Sequence, residues 1–151
     1  MNNLRILSID PSGTGTTGIY FKNGKQEAFN SYQGKDWQNH YNFINSLIQT
    51  YQPNLLLYEH TNYVGPRGKD MTSLFKLLGA MEMLPVESMK KVPVNQVKEL
   101  RNKLLKGKHK IEGLEYQPGK GWHCHQKKIS THGLDAYLIY WLWKKKPNPA
   151  C

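Results

Sequence analysis

The sequence predicts an α/β protein, a mixed sheet with helices on both faces. Two observations point there: the first strands follow one another as a meander, and the later strands alternate with helices of amphipathic spacing. A third sets the scale. The chain has 151 residues and reads as one domain over 1–151, since domains commonly hold about 100–200 residues and a split would leave two marginal halves.

Leu4 to Ile9 alternates around β-favouring residues and stops at Asp10-Pro11-Ser12-Gly13, where proline fixes φ and glycine supplies freedom. This is a strand ending on an acid. Thr16 to Lys22, Asn23-Gly24 and Gln26 to Tyr32 read as a hairpin, because Asn-Gly is the preferred dipeptide of a type I′ turn. From Asp36, a candidate N-cap, Trp37, Tyr41, Ile44, Leu47, Ile48 and Tyr51 recur at spacings of three and four, which predicts an amphipathic helix stopped by Pro53. Leu55-Leu56-Leu57-Tyr58 is a continuous apolar run of the kind buried on both faces. It too ends on an acid, Glu59. Asn62 to Lys69 reads as a loop, and Met71 to Leu84 as a helix carrying Leu74, Phe75, Leu77, Leu78, Met81 and Leu84. Pro85 to Val92 suits another strand and Val94 to Leu105 a basic helix. Gly107 to Gln126 reads as irregular, and Ser130 to Lys146 as a last helix capped by Ser130 or Thr131.

Composition excludes several classes. The longest strongly apolar run, Ala136 to Trp143, has eight residues, far below the roughly 18 of a membrane span. The N-terminus lacks the basic, apolar and small-residue succession of a signal peptide, and Cys124 and Cys151 are the only cysteines. A cytoplasmic protein is expected. Twenty-one Lys and Arg against eleven Asp and Glu leave a net charge of +10, the footprint of a nucleic-acid binder. The charge is clustered: Lys90, Lys91, Lys98, Arg101, Lys103, Lys106, Lys108 and Lys110 meet only the acid Glu99. Lys127, Lys128 and Lys144-Lys145-Lys146 form a second concentration.

Singly, Asp10, Glu59 and Asp135 are ordinary turn, strand-end and helix residues. Jointly they are more specific. Carboxyl ends of adjacent parallel strands converge at one edge of a sheet, where ligand sites form. If the strands of Leu4 and Leu55 are neighbours, Asp10 and Glu59 share a crevice and repel unless a proton or a cation joins them. In the last helix His132 and Asp135, three residues apart, lie one turn from each other on one face. Leu138, Ile139, Leu142 and Trp143 supply apolar contact to the sheet. Three carboxylates and an imidazole can hold two divalent cations; oxygen donors suit Mg²⁺, and the imidazole is tolerated better by Mn²⁺.

The segments Ile6-Leu7-Ser8-Ile9-Asp10-Pro11-Ser12-Gly13, Pro53-Asn54-Leu55-Leu56-Leu57-Tyr58-Glu59, Val94-Asn95-Gln96-Val97-Lys98 and His132-Gly133-Leu134-Asp135-Ala136 resemble, in order and separation, the RuvC-type Holliday-junction resolvases of the ribonuclease H-like superfamily. The resemblance implies a five-stranded mixed sheet with its first three strands antiparallel, flanked by helices on both faces. It implies a catalytic and metal-binding tetrad of Asp10, Glu59, His132 and Asp135, with His132 standing where many members carry Asp. The activity implied is two-metal phosphodiester hydrolysis in branched DNA, especially four-way junctions, as in recombination and repair. Two Mg²⁺ ions, or Mn²⁺ in their place, about 3.5–4 Å apart would activate water and stabilise the leaving 3′-oxygen. Lys98 falls where the family presents a basic residue to the scissile strand. Arg101, Lys103, Lys106, Lys108 and Lys110 extend that DNA-binding surface, and the loop residues Tyr63, Arg67 and Lys69 set an aromatic between cations that suits an unpaired base. A two-fold substrate implies a homodimer, for which the apolar face of Met71 to Leu84 is the candidate interface.

Two other classes compete. Asp10-Pro11-Ser12-Gly13-Thr14-Gly15-Thr16-Thr17-Gly18 also resembles the phosphate-binding hairpin of actin-like and sugar-kinase ATPases, which need two lobes where this chain has room for one. A non-catalytic DNA-binding module would keep the basic face alone, and three intact carboxylates argue against it. His123-Cys124-His125 with Cys151 does not match zinc-ligand spacing, so no zinc site is expected.

Overall fold

The computed structural model describes residues 4–61 and 68–145. Its elements are β1 (Arg5–Asp10), β2 (Thr16–Asn23), β3 (Gln26–Gln33), α1 (Trp37–Tyr51), β4 (Leu55–His60), α2 (Lys69–Met81), β5 (Ser88–Pro93), α3 (Val94–Leu105), β6 (Leu114–Gln117), β7 (Gly121–Cys124), β8 (Lys127–Ile129) and α4 (Thr131–Lys145). The main sheet has five strands in the order β3-β2-β1-β4-β5. Its first three strands in sequence are antiparallel, and β4 and β5 continue parallel to β1. This is the mixed sheet expected from the sequence.

Strand alternation sorts the core into two layers. Leu7, Ile9, Ile19, Phe21, Leu56 and Tyr58 pack with Ile44, Leu47 and Ile48 of α1 and Leu77 and Met81 of α2. Ile6, Tyr20, Leu55 and Leu57 point the other way, onto Val97 and Leu100 of α3 and the middle of α4. The same period of two carries Asp10 and Glu59, at the ends of Ile6-Ser8-Asp10 and Leu55-Leu57-Glu59, to the α4 side. Ser8, fully buried between them and the core, donates its hydroxyl to the Ala136 carbonyl at 2.6 Å and so fixes α4 along β1.

Several local expectations are corrected. The β2–β3 loop is Gly24-Lys25, because Asn23 pairs with Gln26, and of these two only Gly24 has positive φ. That is the type II′ arrangement, which needs the glycine at its first central position, and not type I′. Asp36 makes no side-chain cap; its carbonyl instead accepts from Asn39 and His40. The second helix begins at Lys69 and ends at Met81, where backbone bonds from Glu82 to Gly79, Met83 to Ala80 and Leu84 to Met81 tighten the chain before Pro85. The following strand starts at Ser88, not Pro85, and runs to Pro93. Gly107 to Gln126 is not irregular: it contributes β6 and β7 to a three-stranded antiparallel sheet completed by β8. Trp122, Cys124 and Ile129 bury that sheet against α4's core layer. Ser130 caps α4 by accepting the Gly133 N–H at 3.0 Å. No described helix is long and apolar enough to cross a membrane.

Candidate functional site

β1 and β4 run side by side with Ile9 opposite Tyr58, so the next residues, Asp10 and Glu59, lie together at the carboxyl edge of the sheet. The start of α4 approaches from the α4 side. It can do so because Gly18, the β2 partner of Asp10, has no side chain: a Cβ there would lie 2.2 Å from the His132 carbonyl oxygen. His132 Nδ1 then stands 3.3 Å from Asp10 Oδ2. The loop after Asp10 is pinned by buried His40, whose Nε2–H donates to the Gly34 carbonyl and whose Nδ1 accepts from the Thr17 hydroxyl, both at 2.7 Å.

Asp135, one turn along α4, receives both oxygens' worth of hydrogen bonds from Arg101 Nη1, each 2.7 Å. Arg101, which the charge cluster assigns to phosphate contact, therefore reaches inward from α3 to a site carboxylate. Lys98, one turn earlier on the same helix, is exposed and near enough to favour ionisation of Glu59 and Asp135. Lys103 is paired with Glu99 at 3.1 Å, Lys106 and Lys108 are exposed, and Lys69 is exposed at the start of α2. Lys110 turns away to a different cleft, with Lys22 and Lys144. Tyr63 and Arg67 lie outside the described residues.

The electrostatics are those of crowded acids. Burial, then the neighbouring charges of Asp10 and Asp135, push the Glu59 carboxyl up to about 8. Burial also raises Asp10, against the hydrogen bond from His132, and raises Asp135, against the Arg101 guanidinium. The imidazole of His132 is raised in turn, chiefly by its bond to Asp10. Burial thus raises all three acids against one guanidinium, one imidazole and a nearby lysine, and three carboxylates with an imidazole at one edge are a donor set that fits divalent cations. Among the described residues no three of these ligand atoms close to within 4.8 Å of one another, as they do only at Glu27, Cys124 and His125. The edge is open, of the sort finished by water and phosphate oxygens, as Mg²⁺ prefers.

A cleft of about 760 Å³ leads from His132 past Arg101 and Leu105 to Tyr116, Lys120 and Lys128. Sequence reasoning missed Tyr116 and Lys120 because the segment read as irregular. The alternation in Leu114-Glu115-Tyr116-Gln117, bounded by Pro118-Gly119, was the available signal.

A five-stranded mixed sheet with acids at the ends of β1 and β4 and a final helix closing over them is the ribonuclease H-like fold. Among solved structures the chain is similar to RuvC of Thermus thermophilus. One structure, of RuvC in complex with a Holliday junction substrate, is 12% identical with a TM-score of 0.54, covering 90% of this chain and 89% of that one. Another, of Thermus thermophilus RuvC, is 14% identical with a TM-score of 0.56 and covers 90% of each chain. No protein-family signature matches the sequence. No curated protein matches it.

Proposed function

We propose that this protein is a divalent-metal-dependent endonuclease that cuts four-way junctions, and other branched DNA, by paired symmetric nicks. One observation carries the reading. Asp10 and Glu59 lie at the carboxyl ends of adjacent parallel strands, near His132 and Asp135 of α4, on a fold shared with a protein solved with a Holliday junction.

Asp10, Glu59, His132 and Asp135 would hold the cations, Mg²⁺ or Mn²⁺. When bound, the cations supply Lewis acidity to a water nucleophile and to the leaving 3′-oxygen. The chain's own groups do the rest. Arg101 favours the ionised form of Asp135 and orients it, and Asp10 fixes the His132 ring through Nδ1. Lys98, Lys120 and Lys128 border the edge and its cleft, where they meet backbone phosphates. Tyr116, 44% exposed, offers a face to an unstacked base. The protein acts as a homodimer, matching a two-fold substrate. Leu74, Phe75 and Leu78 of α2, half-buried after α1 has packed, provide apolar surface for it.

The test is a labelled synthetic four-way junction beside linear duplex, with Mg²⁺, Mn²⁺ or chelator. Paired nicks at symmetric positions on the junction, lost with chelator, are expected, and binding should weaken steeply with salt. Equal cutting of linear duplex, or junction binding with no cutting in either metal, would overturn the proposal.

A further inference from the structure

The most compact group of ligating atoms among the described residues lies away from the Asp10 edge. Glu27 comes from β3, Cys124 ends β7, and His125 begins the β7–β8 turn; one ligating atom from each lies within 4.8 Å of the others. Along β2, Gly18 faces Asp10 and Lys22 faces Glu27. The two places are therefore four strand residues apart, about 13 Å.

Neighbouring residues on a strand point to opposite faces, so Cys124 and His125 would not ordinarily converge. Here they do, because His125 and Gln126 both have positive φ, 49° and 70°, a turn that folds the imidazole back beside the thiol. His125 Nδ1 lies 3.6 Å from Cys124 Sγ and 2.5 Å from Glu27 Oε1. Gly113 leaves room for the ring: a Cβ there would stand 2.7 Å from His125 Nε2. Tyr20 donates its hydroxyl to the other carboxylate oxygen, Oε2, at 2.7 Å, and leaves Oε1 for the cluster. Glu27 is thus oriented by a second group, as ligands of bound metals are.

We propose that Glu27, Cys124 and His125 bind a thiophilic divalent cation of the zinc class, which fastens the three-stranded sheet to β3. Tetrahedral zinc, with bonds of about 2.3 Å to sulfur and about 2.0–2.1 Å to nitrogen, sets those two atoms about 3.5 Å apart. The sulfur–nitrogen distance already matches. Glu27 must swing out by less than about 1 Å, since zinc holds oxygen and nitrogen about 3.3 Å apart where a hydrogen bond now draws them together. On binding, the thiol proton leaves to solvent and the imidazole hydrogen moves from Nδ1 to Nε2. Thiolate and carboxylate then neutralise the cation. His125 is half-exposed, so water completes the fourth position. Because binding releases the thiol proton, uptake strengthens as pH rises. Lys22, across from Glu27, and Tyr137 also face the cluster.

The experiment uses the full chain carrying Asp10→Asn and Cys151→Ser, which weakens the other site and removes the second thiol. It is stripped with chelator and titrated with Co²⁺ at mildly alkaline pH. A thiolate-to-cobalt charge-transfer band with the visible bands of a four-coordinate centre should saturate at one Co²⁺ per chain, and Zn²⁺ should bleach both. Cys124→Ser should remove the charge-transfer band. Should that variant fail to fold, His125→Gln, at a half-exposed turn position, is expected to weaken Co²⁺ by about ten- to a hundredfold with an unchanged far-ultraviolet spectrum. Absence of the thiolate band at stoichiometric Co²⁺, or affinity unchanged in His125→Gln, would overturn the proposal. Neither readout depends on DNA cleavage, so the junction-cutting reading stands or falls separately.

Discussion

Two carboxylate–imidazole pairs fasten C-terminal elements to the main sheet, one near each end of β2. At the carboxyl edge His132 meets Asp10 at 3.3 Å; at the other end His125 meets Glu27 at 2.5 Å. The pairs are chemically alike and their surroundings are not. Asp10 is crowded by two more acids, an oxygen-rich set beside one imidazole that suits hard cations. Glu27 sits beside a buried thiol and a tyrosine hydroxyl, a softer set with one sulfur. An Asp–His or Glu–His contact therefore says little until the third and fourth neighbours are known.

The largest expected effect comes from emptying the acid-rich pair. Asp10→Asn should lower junction cleavage by on the order of 10³-fold or more, while low-salt junction binding in a gel-shift assay stays within a few-fold. Comparable cleavage by the variant would mean that the two pairs differ in appearance only. Next, Arg101→Gln removes the ion pair that holds Asp135 and should cost about 10–100-fold in cleavage rate at saturating Mn²⁺. Gly18→Ala forces the α4 start away from β2; urea unfolding should report a loss of about 1–3 kcal/mol together with reduced cleavage.

Titration sharpens the contrast further. In chelator, Glu59 is protonated in both folded and unfolded chains well below pH 4.5, but between about 4.5 and 8 the unfolded chain alone ionises. Native stability therefore falls as pH rises through that window. His132, also raised in the folded protein, pushes the same way: its contribution is complete below its ordinary value of 6.5 and disappears above its folded one. Glu59→Gln should thus stabilise the metal-free protein at pH 8 by about 2–3 kcal/mol, allowing for partial solvent screening, and change little at pH 4. Thermal melts at the two pH values would check it, and equal shifts at both would break the account. The smallest effect belongs to the other pair: His125→Gln, with zinc absent, should alter stability by less than about 1 kcal/mol and leave cleavage in Mg²⁺ unchanged.

Much of this was legible in the sequence. Alternation in Leu4 to Ile9 and the apolar run Leu55 to Tyr58 gave strands that carry Asp10 and Glu59 at their carboxyl ends, although β4 runs one residue past Glu59 to His60, and the three-residue spacing of His132 and Asp135 put both on one helix face. These are short-range facts, set by periods of two and 3.6 that any local window displays. Gly107 to Gln126 was hard to read because its strands are only four residues long, so the one alternation, Leu114 to Gln117, is too brief to stand out from the glycine-rich stretch around it.

What the sequence determined by itself was the order of elements, the side of each strand on which its acid falls, and the excess of positive charge. What only the tertiary structure decided was company: Arg101 with Asp135 across 34 positions, and Glu27 with His125 across 98. Local pattern fixes the direction in which a side chain leaves its own backbone. Which distant group it then meets depends on strand order and on the close approaches allowed at Gly18 and Gly113, and those are properties of the packed chain as a whole.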